Sequence, residues 1–156
     1  MNASLSEIKK EINTLDPENL AVLCMRLAKY KKENKELLNY LLFEAHNEQA
    51  YIVSVKEMVD ELFLDVPAPN LYLTKKVLRK ILRFVNKPIK YSGIPQTEIE
   101  LRLHFCSRVK EANVPLTEGT VIGNLYQQQV KKINVVLAKL PEDLQADYQR
   151  EIESIA

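Results

Sequence analysis

The sequence predicts an all-α fold, and three observations point to it. Only three of the 156 residues are glycine, whereas 46% are hydrophobic and 28% are charged, a balance typical of a soluble helical protein. Apolar residues recur with helical spacing along most of the chain. Residues that favour helix N-termini stand before several of these stretches. Together they predict one helical domain over residues 1–156 with about seven helices.

Two capping signals divide the N-terminal third of the chain. Ser4 and Glu7 have the spacing of a capping box and predict the start of a short first helix. Asp16 followed by Pro17 predicts the N-cap and first residue of a second helix. The apolar spacing is interrupted near residues 30–34, which predicts a tight turn before a third helix.

Proline residues set the predicted boundaries in the middle of the chain. A helix over about residues 47–64 should end at "DVPAPN", because its two prolines lack the N–H that a helix uses. A basic helix then covers about residues 71–86, and Pro88 is expected to end it. Thr97 and Glu100 repeat the spacing of the capping box and predict a helix that runs to about residue 112.

Two further helices are predicted after the break at "NVPLTEG". They cover about residues 118–139 and 141–155, and Pro141 opens the second. In helix 118–139 apolar residues at a 3-4 spacing flank Gln129, and a polar residue at such a position can specify the register of a helix pair. This pattern suggests a homo-oligomer formed through helix 118–139, with an ordinary core helix as the alternative.

An internal similarity suggests how the helices are arranged. The segments "KKENKELLNYL" at 31–41 and "KKVLRKILRFV" at 75–85 align at an offset within the range of about 40–47 residues seen in two-helix repeats. Three helical hairpins, at 17–46, 47–87 and 97–139, would then stack as a HEAT-like α-α superhelix. An irregular helical bundle is the alternative, because helices rich in Lys and Leu resemble one another by composition alone.

Three segments also resemble those of a known family. The segments "RLAKYKKENKELLNYLLFEA", "KKVLRKILR" and "TEIELRLHFC" are similar to a family of small all-helical bacterial proteins of unknown function. The resemblance covers most of the chain and implies a helical fold. It implies no catalytic, metal-binding or cofactor-binding residue, since none of the three segments is a chemical motif.

The sequence gives little support to an enzyme, a metal site or a cofactor. His46 lies in "EAHNE", which lacks the second histidine of a zinc-protease motif. His104 and Cys106 are two apart on a predicted helix and should point in nearly opposite directions, so zinc coordination is disfavoured. We expect His104 to hydrogen-bond with Glu100, and Cys24 and Cys106 to be reduced, buried thiols. We therefore predict no enzyme, no catalytic residue, no bound metal and no cofactor.

The hydropathy pattern predicts a cytoplasmic protein without a membrane association. The N-terminal sequence "MNASLSEIKKEIN" has no apolar stretch of the length that a signal peptide needs. No apolar run approaches 18 residues, the length expected of a membrane-spanning helix.

The most biased segment is the basic helix, which forms the candidate anion-binding site. Residues 66–97 carry seven Lys or Arg and no acid, although the net charge of the whole chain is only +1. At 100° per residue the basic and apolar side chains of helix 71–86 fall on separate faces. The preceding helix offers acids, and Glu57 and Glu61 would come near Lys75 and Arg79 in an antiparallel hairpin. The candidate residues are Lys75, Lys76, Arg79, Lys80, Arg83 and Lys87.

Two functions remain open from the sequence. The first is an uncharacterised helical scaffold or protein-interaction module with an unidentified protein partner. The alternative is nucleic-acid binding, in which the basic helix 71–86 contacts the phosphate backbone by charge and without base readout. A third interpretation of the basic face is that it is merely solvated and partly paired with the preceding helix.

Overall fold

The computed structural model describes residues 2–156, and this part of the chain is all-α and contains no β-strand. The predicted all-α class is confirmed, and residues 2–156 form eight α-helices, one more than the seven or so expected. The helices are α1 (Leu5–Thr14), α2 (Pro17–Tyr30), α3 (Lys32–Asn39), α4 (Glu48–Phe63), α5 (Leu71–Ser92), α6 (Pro95–Glu111), α7 (Val121–Leu137) and α8 (Glu142–Ile155), with a π-helical turn, Tyr40–Glu44, after α3.

The chain divides into two compact units, with the boundary along the sequence between Phe43 and Glu44. The first contains α1 to α3 and most of the π-helical turn, and the second contains α4 to α8. A single domain over residues 1–156 stays a prediction.

The predicted N-caps of the first two helices are present in the first unit. The hydroxyl of Ser4 accepts from the Glu7 backbone N–H at 3.2 Å, and the Glu7 carboxylate accepts from the Ser4 N–H at 2.7 Å, so the capping box is confirmed. Asp16 caps α2 by accepting from the Asn19 N–H. Helices α2 and α3 pack together, and the Asn34 amide donates to the Leu27 carbonyl at 2.7 Å. The turn expected at 30–34 is confirmed at Lys31, between α2 and α3.

The hydrophobic core of the second unit is built around α6, which contacts α4, α5, α7 and α8. Helix α6 presents buried side chains along both sides, because neighbours cover it all round. Its Phe105 ring packs against Phe63 of α4, with ring centroids 5.7 Å apart. Tyr126 of α7 is buried, and its hydroxyl donates to the Ile155 carbonyl in α8, which ties the C-terminal helix to this core.

The expected end of the basic helix at Pro88 is wrong. Helix α5 continues to Ser92 with Pro88 inside it, and Gly93 forms the C-cap in the left-handed region at a φ of 67°. Pro88 removes one backbone donor, but its ring is buried and Ile89 packs partly buried against the core. This burial offsets the lost hydrogen bond, and the left-handed cap, which suits glycine, ends the helix instead.

Three other predicted helix starts need correction. Helix α6 begins at Pro95, so Thr97 is not its cap; the Thr97 side chain is buried and, in the described residues, its hydroxyl has no hydrogen-bond partner. Helix α7 begins at Val121, where Thr120 accepts from the Gly123 N–H. Pro141 is the N-cap of α8 rather than its first residue. For α6 and α7 a nearby residue sets the start of the helix instead of the predicted one: Pro95 is the first residue of α6, and Thr120 caps α7.

No helix in residues 2–156 is long and apolar enough to cross a membrane.

Candidate functional site

Helix α5 separates its basic and apolar side chains as the helical spacing predicts. Leu78, Ile81 and Val85 are fully buried in the core of the second unit. On the opposite side, four of the six candidate anion-binding residues are exposed, whereas Lys75 and Lys87 are partly buried. The exposed four are Lys76, Arg79, Lys80 and Arg83. The structure thus brings the candidate residues onto one face of a rigid helix.

An aromatic ring accompanies these cations at the start of α5. The Lys76 Nζ lies 4.6 Å from the centroid of the Tyr72 ring and the Lys75 Nζ lies 5.3 Å from it. Tyr72 itself is exposed. Residues three and four apart face each other on a helix, so the spacing of Tyr72 to Lys75 and Lys76 could have indicated this contact from the sequence.

The expected pairing of this face with α4 is wrong for the residues proposed. Within residues 2–156 no ion pair joins Glu57 or Glu61 to Lys75 or Arg79. These glutamates are exposed, as is Arg79. The basic face is therefore not ion-paired with Glu57 or Glu61. Glu48 of α4 accepts from the Ser92 hydroxyl of α5 at 3.3 Å, whereas the α4 acid one residue before Glu61 is directed at α6.

That acid is Asp60, which binds His104 and Arg108 of α6. The Asp60 Oδ1 lies 2.6 Å from the His104 Nε2. The Arg108 Nε is 3.1 Å from the same oxygen, close enough for an ion pair but not aligned for a hydrogen bond. The expected His104–Glu100 hydrogen bond is therefore wrong. Helices α4 and α6 pack side by side, so the partner comes from across the helix interface rather than from one turn back.

A second polar cluster surrounds Arg102, which the sequence interpretation missed. Arg102 is buried, and its Nε donates to Glu98 at 3.0 Å. Its Nη1 donates to Asn86 at 3.1 Å and to Gln129 at 2.7 Å. These bonds connect α5, α6 and α7. The only signal in the sequence was one base among the apolar residues of "IELRLHFC".

This cluster bears on the expected interface through helix 118–139. Gln129 is buried within its own chain, as are Ile122 and Ile133, and it accepts the Arg102 hydrogen bond. A homo-oligomer through this helix stays a prediction, but these residues already pack in the core of the second unit.

The two cysteines occupy different environments. Cys106 is buried as expected, and burial raises the pKa of its thiol to about 12. Cys24 is exposed, which corrects the expectation that both thiols are buried. In the described part of the chain no three His, Cys, Asp or Glu side chains converge as a metal site would require.

Most of the exposed large apolar side chains in residues 2–156 lie in the first unit. Helices α1, α2 and α3 contain no buried residue, although each carries apolar side chains on its surface. At 100° per residue the polar residues of α2 fall within an arc of about 100°, and most of its apolar side chains occupy the rest of the circumference. Side chains more than half exposed include Leu5, Val22, Met25, Leu27, Tyr30 and Phe43.

The exposure of these apolar side chains is unusual for a helix of this composition. The apolar face of an amphipathic helix usually packs against other elements, and monomeric proteins rarely expose large contiguous apolar patches. Sequence reasoning treated these residues as core, because it could recognise apolar spacing but not whether other elements would cover it.

No protein-family model, curated protein or solved structure matches this chain.

Proposed function

We propose that this chain is a non-enzymatic helical protein-interaction module of the cytoplasm, whose first unit binds a protein partner. The observation that carries the proposal is that α2 has a broad apolar face and yet contains no buried residue. The second unit, in contrast, has its own complete core. A protein partner that covers α2 would remove its apolar side chains from water, which favours the complex.

The arrangement of the helices and the membership of a family are also proposals. The contacts of α4 with α5 and of α6 with α7 are those of helical hairpins, which supports a HEAT-like stack. The contacts of α6 with four helices are closer to an irregular bundle. Membership of the family of small all-helical bacterial proteins rests on the three sequence segments alone.

Affinity capture from a native extract tests the proposed function. The bait is the full chain, and the matched variants are Met25→Asp in α2 and Met58→Asp in α4, whose methionines are 52% and 51% exposed. We expect proteins to be captured by the unchanged chain and by Met58→Asp, and to be lost with Met25→Asp. Capture that is equal for both variants would contradict binding through α2.

Binding of a nucleic-acid backbone by α5 is a second candidate function. It is favoured by the exposed Lys76, Arg79, Lys80 and Arg83 and by their lack of pairing with Glu57 and Glu61. The exposed Tyr72 beside Lys75 and Lys76 adds a ring on which a base could stack. Nuclease treatment of the same extract separates the two functions, because only partners held through nucleic acid would then disappear.

A further inference from the structure

An open cleft of about 470 Å³ lies between α6 and α7 in the second unit. This volume is within the range of about 300–1,000 Å³ that is typical of small-molecule sites. The α7 residues that line it recur at intervals of three and four, so they share one face of the helix. The cleft is lined by Glu98 and Arg102 of α6, by Lys131 and Lys132 of α7, and on an apolar side by Val135 and Val136 of α7.

Arg102 has one guanidinium nitrogen left for a ligand. Its Nε donates to Glu98, and its Nη1 donates to Asn86 and Gln129, which uses all three N–H groups of these two nitrogens. Its Nη2 has no acceptor among residues 2–156. This nitrogen is not one of the enclosed side-chain atoms that lack a hydrogen-bond partner, so it keeps contact with solvent. Because Arg102 lines the cleft, its two remaining N–H groups are available to an acceptor that enters there.

The cleft carries an excess of positive charge. Lys131 and Lys132 are exposed, and neither forms an ion pair within residues 2–156. Together with Arg102 and Glu98 they give the cleft three bases and one acid, a net charge of +2. A ligand with two negative charges and several acceptor oxygens would match both this charge and these donors. A phosphate monoester has both at neutral pH, because its second pKa is about 6.

The apolar side of the cleft narrows the ligand further. Val135 is 52% exposed and Val136 is partly buried. An apolar group attached to the phosphate would cover these side chains and remove them from water, which favours binding. A phosphodiester of a nucleic-acid backbone carries only one charge and matches the cleft less well. The lysines of the cleft are therefore not expected to bind a nucleic-acid backbone.

We infer that the cleft between α6 and α7 binds a small phosphate monoester with an apolar substituent. The Arg102 Nη2 donates to the phosphate oxygens from the buried side of the cleft, and Lys131 and Lys132 bind them from its exposed rim. Val135 contacts the apolar substituent. This site belongs to the second unit and is independent of the protein partner proposed for α2.

Nuclear magnetic resonance of the full, isotope-labelled chain, titrated with phenyl phosphate in a phosphate-free buffer, tests the site. At about pH 7.5 the ligand is a dianion. We expect saturable shifts of the Arg102 Nε–H signal and of the backbone amides of residues 128–136, with a dissociation constant of about 1 mM or less. No saturable shift at about 10 mM, or shifts that leave the Arg102 Nε–H signal unmoved, would overturn the inference.

Three comparison ligands test what the cleft recognises. Benzoate keeps the ring and dimethyl phosphate keeps the phosphorus, but each carries a single negative charge. Both should bind at least about fivefold more weakly than phenyl phosphate, because each makes fewer charge-assisted hydrogen bonds. Inorganic phosphate, which lacks the ring, should also bind more weakly. Equal binding of benzoate or dimethyl phosphate would overturn recognition of a dianion, and equal binding of inorganic phosphate would overturn the apolar contact.

A double substitution tests the two lysines without disturbing the core. Lys131→Gln with Lys132→Gln should weaken phenyl phosphate binding about fivefold or more and leave urea denaturation unchanged, because both side chains are exposed. The matched control is Lys9→Gln with Lys10→Gln, which removes the same charge from two adjacent exposed lysines of α1 and should leave binding unchanged. Equal weakening by the two double variants, or none by either, would overturn the assignment of this site.

Discussion

The Arg102 Nη1 donates to the Gln129 Oε1 at 2.7 Å, and both side chains are buried between α6 and α7. Asn86 of α5 accepts from the same nitrogen, and Glu98 accepts from the Nε. A cation in a hydrophobic core is costly unless its donors are satisfied, and here three helices supply acceptors. The guanidinium therefore connects α5, α6 and α7 at one point.

Removing this guanidinium should be strongly destabilising. We expect Arg102→Ala to lower the free energy of unfolding by about 3–5 kcal/mol, because Glu98 is left partly buried without its cation and Gln129 without its donor. Urea denaturation followed by circular dichroism measures the change. Arg150→Ala, at an exposed position of α8, is the control and should change little. A loss below about 1 kcal/mol for Arg102→Ala would contradict a structural role for the cluster.

The apolar face of α5 should be equally sensitive. Ile81 is fully buried in the core, so Ile81→Ala should lower the free energy of unfolding by about 2–5 kcal/mol. The neighbouring Lys80 is exposed, and Lys80→Ala should be nearly neutral in the same denaturation experiment. Equal effects of the two substitutions would mean that α5 does not direct this face at the core.

The cysteines should differ in reactivity at neutral and mildly alkaline pH. Cys24 is exposed and should react with iodoacetamide in the native chain, whereas Cys106 is buried with its pKa raised to about 12. Mass spectrometry should find one label per native chain at pH 8 and two after denaturation. Rapid native labelling of Cys106 would contradict its burial.

The same thiol should contribute to a loss of stability at high pH. Above the ordinary thiol pKa of about 8.5 an unfolded chain releases the Cys106 proton while the native chain retains it, so stability falls as pH rises toward about 12. Cys106→Ala should show a flatter decline over this window in denaturation experiments at successive pH values. An unchanged decline would show that other groups cause it.

If α5 binds nucleic acid, the binding should depend on salt through a few phosphate contacts. We expect log K to fall against log salt with a slope of about −4 on duplex DNA, and Arg79→Gln with Arg83→Gln to flatten it for all sequences alike. Exposed Lys131 and Lys132 of α7 provide the control pair. No binding at low salt would exclude this function, and a slope lowered equally by both pairs would place the contacts elsewhere.

Local signals in the sequence predicted much of the fold. The Ser4–Glu7 box and the Asp16 cap lie where expected, because a cap depends on residues within one turn. Pro88 and Thr97 were misjudged because burial decided their roles. A proline can be kept inside a helix when its ring packs in the core, and Thr97 became a core residue once Pro95 opened α6.

The candidate site was predictable only in part. Helical spacing places the six candidate cations of α5 on one face, since the angles follow from residue numbers alone. The partners of Asp60, and the Asn86 and Gln129 partners of Arg102, could not be predicted, because they lie on other helices. The exposure of α2 could not be predicted from the sequence either, since its apolar pattern is that of a helix whose apolar face is covered.

Cross-linking from Cys24 tests most directly the central claim that α2 is covered by protein. A maleimide photocross-linker attaches selectively there, because Cys24 is exposed and Cys106 is buried. The control moves the label to α4 in the Cys24→Ser, Met58→Cys variant, because Met58 is also exposed. In nuclease-treated native extract we expect covalent protein adducts from position 24 and few from position 58. Absence of adducts at position 24, or equal yields at both positions, would contradict the claim.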